Sequence, residues 1–110
     1  MQIEHMPEET VLKVGGASLV RGHDSTAGRL YVTTVRLHFA PHLPGTQFVG
    51  GDVPLAEVES VVPGKSGILG VPLVRDQMIV NVRGGDRVAF RVSPRDEWIA
   101  LVRRAVRGEF

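Results

Sequence analysis

The feature that most constrains the fold is a change of hydrophobic period near Ser93. Before it, apolar and polar residues alternate in short runs. In residues 87–92, Val88, Phe90 and Val92 fall on one side and Arg87, Ala89 and Arg91 on the other. Alternation of this kind denotes a sheet with one buried and one wet face. After Ser93 the spacing becomes helical. Trp98, Ile99, Leu101, Val102, Ala105 and Val106 share one arc of a helical wheel, with Ala100, Arg103, Arg104 and Arg107 on the other. The expected product is a set of short strands covered by one terminal amphipathic helix.

The other segments fit that scheme. Residues 10–20 hold Val11, Leu12, Val14, Leu19 and Val20, interrupted by Gly15 and Gly16, a pair that predicts a bulge or sharp bend. Residues 21–28 read as a polar connector. In 29–39, Leu30 and Val32 alternate with Tyr31 and Thr33, then Leu37 and Phe39 with Arg36 and His38. The phase slips between the halves, which predicts a tight reversal at Thr34 and Val35. Pro41 and Pro44-Gly45 end this hairpin. Residues 46–49 and 53–62 read as two more strands, 63–67 as a loop, and 68–74 as an apolar segment broken by Gly70 and Pro72. A second hairpin joins 77–82 to 87–92 around Gly84, Gly85 and Asp86. In the helix, 93–107, Ser93 is the expected N-cap and Pro94 the first helical residue, with Gly108 as the stop. The expected core is Trp98, Phe39, Phe90, Leu37, Leu30, Val32 and Val88.

Composition excludes several classes. A chain of 110 residues fits one domain. With no cysteine there is no disulfide scaffold, thiol nucleophile, thiolate zinc site or iron–sulfur cluster. Thirteen basic against twelve acidic residues and 5% aromatic content argue against a nucleic-acid partner. The longest apolar run, 67–74, is too short to span a bilayer as a helix. Glu4, Glu8 and Glu9 stand where a signal peptide carries basic and apolar residues, so a cytoplasmic location is expected. The Met1 start and the short tail after Gly108 favour a complete small protein.

Signs of catalysis are weak. Gly64-Lys65-Ser66 matches the end of a phosphate-binding loop, but Glu59 stands where its first glycine belongs. No dinucleotide fingerprint and no nucleophile elbow occurs. His5, His23, His38 and His42 are scattered rather than spaced as metal ligands. The expectation is a non-enzyme with no cofactor and no metal.

Residues 28–39, Gly-Arg-Leu-Tyr-Val-Thr-Thr-Val-Arg-Leu-His-Phe, resemble the signature of GRAM domains: a glycine, a Leu-Tyr-x-Thr strand, a turn, then Arg-Leu-x-Phe. Pro54-Leu55 followed by Val58 and Val61 resembles the family's next stretch. Residues 87–92 followed by Asp96, Glu97, Trp98 and Ile99 resemble its last strand and helix start. The resemblance covers about residues 9–107. It implies a mainly β, pleckstrin-homology-like fold, a partly open antiparallel β-barrel of about seven strands with one C-terminal amphipathic α-helix. It also implies a non-catalytic module, because members of such families bind phosphoinositides, other anionic lipids or proteins.

The headgroup site of pleckstrin-homology domains lies near the first strands and their loop, which here implies Lys13, Arg21, His23, Arg29 and Arg36. Arginine forks suit phosphate. This chain departs from the usual pattern, since Arg21 and Arg29 lie eight apart and no closely spaced basic pair occurs in this loop. The same residues also read as solvated strand ends, with Arg36 serving the hairpin. A diffuse mode would use Arg83, Arg87, Arg91, Arg103, Arg104 and Arg107 against an anionic surface, diluted by Glu57, Glu59, Asp76, Asp86 and Glu97. Residues 68–73 are more apolar than a loop requires. Ile68, Leu69, Val71 and Leu73 form either a buried strand or a patch for a protein partner or second copy. Anionic lipid or membrane surface is the leading partner, and protein interaction or self-association the alternative.

Overall fold

The computed structural model describes residues 9–21, 24–42, 52–68 and 71–110, with backbone alone at 21, 24, 65–68 and 71–76. The period-two segments become seven strands: β1 (Val11–Arg21), β2 (Asp24–Thr33), β3 (Arg36–Pro41), β4 (Asp52–Pro54), β5 (Val58–Ile68), β6 (Val71–Val82) and β7 (Arg87–Arg91). They form one antiparallel sheet in the order β4-β3-β2-β1-β7-β6-β5. Its two edge strands, β4 and β5, are joined by a single 3-10 turn, Leu55–Glu57. So short a link holds the two edges near each other, and the sheet curls into a partly open barrel.

One face of the curl is apolar. Leu30, Val32, Leu37, Phe39, Met78, Val80 and Phe90 are fully buried on it, with the Phe39 and Phe90 rings tilted at 6.0 Å. The helix α1 (Arg95–Val106) closes the barrel with Trp98, Ile99, Val102 and Ala105. Each such side chain contributes about 1.5–3 kcal/mol by leaving water. All the expected core residues lie inside, Val88 being partly buried against the rest. Asp96 and Glu97 in the first turn and Arg103 and Arg104 in the last complement the helix dipole. Gly108, at φ 74°, ends the helix in a Schellman motif: its N–H donates to Ala105 O and that of Glu109 to Arg104 O.

The two expected hairpins form, the first turning at Thr34 and Val35 and the second through Gly84 and Gly85, both at positive φ. Other expectations need correction. The polar connector 21–28 mostly belongs to β2, paired residue by residue from Arg21↔Asp24 to Ala17↔Gly28. Its outward side chains face water, so no apolar pattern marked it as a strand. The supposed loop 63–67 lies inside β5. An edge strand tolerates Pro63 because one side of its backbone makes no ladder, and register shifts near Ser66 absorb the glycines. Residues 53–62 are not one strand but β4, the 3-10 turn and the start of β5. The irregularity in β1 falls between Val11 and Lys13, not at Gly15-Gly16. Pro94, extended at ψ 129°, is the N-cap in place of Ser93, with no side-chain capping bond. The strand expected at 46–49 lies outside the described residues.

Candidate functional site

Of the five basic residues expected at the headgroup site, three are described with their side chains. Register separates them. Lys13 and Gly15 face inward, where the Lys13 ammonium stands 4.9 Å from the centroid of the Trp98 ring. The pair is a cation–π contact that seats the helix on β1. Gly15 is required there, because a Cβ would come within 2.9 Å of the indole.

Arg36 opens β3 on the outer face and is engaged by carboxylates. Its Nε donates to Glu9 Oε2 at 2.9 Å, and Nη1 to Asp52 Oδ2 at 3.1 Å. The Glu9 side chain is fully buried, while that of Arg36 is 17% exposed. Burial opposes the Arg36 charge most strongly. The hydrogen bond to Glu9 and the negative charges of Asp52 and Glu9 outweigh it, and its pKa is raised above its ordinary value. The Thr33 hydroxyl gives its proton to Glu9 Oε2 at 2.6 Å and accepts from the Val35 and Arg36 backbone N–H groups. The Thr-turn-Arg pattern is therefore a hairpin device, clamped by Glu9 from 27 residues upstream. Asp52 also meets His38 Nδ1, and the His38 ring lies 5.8 Å from that of Tyr31.

Arg29 is exposed on the outer face of β2, opposite Gly16 on one side and Ala40 on the other. Tyr31 and His38 stand between its row and that of Arg36, so these arginines do not meet on one ligand. Arg21 is the last residue of β1, His23 lies outside the described residues, and so does Leu69. Ile68 and Val71 pair at the tip of the β5–β6 hairpin, and Leu73 follows in β6.

The outer face also carries a basin absent from the expected set. Its lining residues are Gly16, Ala17 and Ser18 of β1, Ala27 and Gly28 of β2, His42, and Arg91, Val92 and Ser93 at the end of β7. Its volume is about 420 Å³, within the range of small-ligand sites. Ser18 pairs with Ala27 on one side and Arg91 on the other, which sets three outward positions in one row. The next row holds Gly16 beside Arg29. The His42 backbone N–H is tied to Ala27 O at 3.0 Å. Small residues form the floor: a Cβ at Gly16 would meet nothing within 4 Å. Among the described residues that line the basin there is an arginine, an imidazole and two serine hydroxyls, and no carboxylate. Sequence reasoning saw Arg91 only as part of a diffuse basic face and His42 only as scattered. The signal it lacked was the register that joins β7 to β1.

A second groove, about 300 Å³, lies between β5 and α1 and is lined by residues 58–62 with Arg103, Val106 and Arg107. Arg103 Nε donates to Val61 O at 2.9 Å across it. No helix among the described residues is long and apolar enough to cross a membrane, and no group of three potential metal ligands occurs among them.

The architecture has solved counterparts. The C-terminal domain of an unknown protein from Leishmania infantum superposes with a TM-score of 0.75 at 19% identity, over 89% of this chain and 84% of that one. The N-terminal pleckstrin-homology domain of Vps36 gives a TM-score of 0.71 at 15% identity, covering 94% and 83%. The fold is pleckstrin-homology-like. The pleckstrin-homology domain of Slm1 in complex with phosphoserine gives a TM-score of 0.60 at 13% identity, covering 86% and 91%. No protein-family model matches the chain, and no curated protein matches its sequence. At such identities the likeness is one of fold.

Proposed function

We propose that this chain is a GRAM-type binding module, a single domain over residues 1–110, that works without catalysis in the cytoplasm and docks on anionic membrane surfaces. The observation that carries this reading is the outer-face basin, in which a guanidinium, an imidazole and two hydroxyls surround a floor of small residues. Such a set of donors suits an anionic headgroup. Arg29 on the adjacent row adds a second cation. The Slm1 domain, of similar fold, has been solved with phosphoserine and with inositol-4-phosphate. The GRAM assignment is supported by the coherence of its motif in three dimensions. Gly28 lies where a Cβ would come within 2.3 Å of Ala40 O, and Thr33 and Arg36 build the turn that follows.

The test is co-sedimentation with neutral and anionic vesicles at low and physiological salt. Pelleting with anionic vesicles alone, weakened by Arg91→Gln, is the expected result. No pelleting with any vesicle overturns the membrane reading. The groove between β5 and α1 favours a second reading, docking of a protein segment against the edge strand. That contact, resting on main-chain hydrogen bonds to the edge strand and on Val58, Val61, Val62 and Val106, would survive salt that abolishes vesicle binding.

A further inference from the structure

We propose that residues 58–62 of the β5 edge pair with the same residues of a second copy of this chain, and that Arg103 is the latch that opens for them to do so. This rests on the edge-docking reading above and names its occupant. The first observation is the free edge. β5 ends the sheet and pairs with β6 alone, so one side of its backbone carries no ladder. Even on the β6 side the pairing steps from Val58↔Val82 to Ser60↔Asn81 and skips Glu59. Pro63, with no N–H to donate, bounds the pairable run on one side, and the 3-10 turn Leu55–Glu57 bounds it on the other. The run that remains, 58–62, is centred on Ser60.

The second observation is the latch. Arg103 Nε donates to Val61 O at 2.9 Å, the part a backbone N–H plays when a strand is added. An added strand has to displace it, so the partner that pairs best offers the guanidinium another acceptor. The third observation is charge. The groove beside the edge carries both signs, Glu59 against Arg103 and Arg107. An acidic segment would meet Glu59 and a basic one the arginines, whereas a second copy answers both. A two-fold axis through Ser60 sets Glu59 opposite Val61 of the second copy, where that copy's Arg103 sits. Each Arg103 then exchanges a carbonyl of its own chain for a carboxylate of the other, a charge-assisted bond. Arg107 is already held by Glu109 at 3.0 Å, which leaves Arg103 as the exchanging group. Val62 and Val106 flank the seam with apolar surface. So short a seam makes a weak, concentration-dependent dimer.

The test is sedimentation velocity of the full chain over a range of concentrations, with amide spectra recorded across the same range. A monomer–dimer equilibrium is expected, with concentration-dependent shifts centred on 58–62 and on the helix around Arg103. Glu59→Arg and Arg103→Glu each set like charges across the axis and should weaken the dimer at least about tenfold. The double variant exchanges the two signs and should restore it. Both residues are exposed, and Glu59→Arg leaves the Arg103 bond to Val61 in place, so it reads the seam without loosening the helix. A chain that stays monomeric at every concentration overturns the proposal. So does a dimer whose shifts lie elsewhere, or one that the double variant fails to restore. A synthetic peptide with the sequence of residues 57–63 separates this from the edge-docking reading. If the chain is monomeric and the peptide shifts the amides of 58–62, edge docking stands and the dimer falls. If neither the chain nor the peptide occupies 58–62, both fall.

Discussion

Arg36 shows how one side chain can be read correctly in kind and differently in role. Its place after a Thr-turn was visible in the sequence, and serving the hairpin was one of two readings open to it. The deciding partner, Glu9, lies 27 residues away and carries no local pattern. Arg36→Gln leaves a buried carboxylate without its cation, and chemical denaturation should register a loss of about 3 kcal/mol. Because the folded pKa of Arg36 is raised, its contribution is fully present below the unfolded value and fades only as pH rises through the folded one. Both lie far above neutrality, so the difference from the parent should stay constant from about pH 6 to about pH 9. A difference that changes across this range would assign the stabilisation to another group. The neighbouring glycines supply a sharper contrast. Gly15→Ala drives a Cβ against the Trp98 ring at 2.9 Å and should cost about 1–3 kcal/mol. Gly16→Ala, in open space, should melt close to the parent. Equal melting of the two would remove close packing as the reason for Gly15.

At the scale of elements, α1 was legible because helical spacing, acidic first turn, basic last turn and Gly108 all agree. The strands with clear alternation, β3 and β7, were legible for the same reason. β5 was not, since Pro63, Gly64 and Gly67 read as a loop and only its position at the sheet edge makes them acceptable. The helix depends on Trp98, which is 1% exposed. Trp98→Ala should cost about 3–5 kcal/mol in thermal or chemical unfolding. The indole Nε1 is buried and has no hydrogen-bond partner among the described residues. Trp98→Phe, which removes that donor and keeps an aromatic ring, should therefore cost only about 1–2 kcal/mol. If Phe proves as damaging as Ala, the N–H makes a bond that outweighs the lost ring volume.

For the whole molecule, the barrel separates two basic regions that net charge merges. Arg29 and Arg91 project from the outer face of the sheet, around the basin. Arg104 and Arg107 sit at the end of α1, which packs against the inner side. The sequence showed both sets and could not say that they face apart, because the separation arises from strand order and curl. That geometry makes orientation testable. Arg29→Glu with Arg91→Glu and Arg104→Glu with Arg107→Glu change the net charge equally, so a diffuse field would treat them alike. A basic residue near an anionic surface contributes about 1 kcal/mol, so reversing the outer pair should weaken vesicle binding by at least about thirtyfold. Reversing the helix pair should change it by no more than about twofold if the outer face meets the membrane, because charges on the far side lie beyond the screening length of about 8 Å at physiological salt. Matching losses in co-sedimentation would show that no single face is used. A loss confined to the helix pair would turn the domain over and put the groove between β5 and α1 against the lipid.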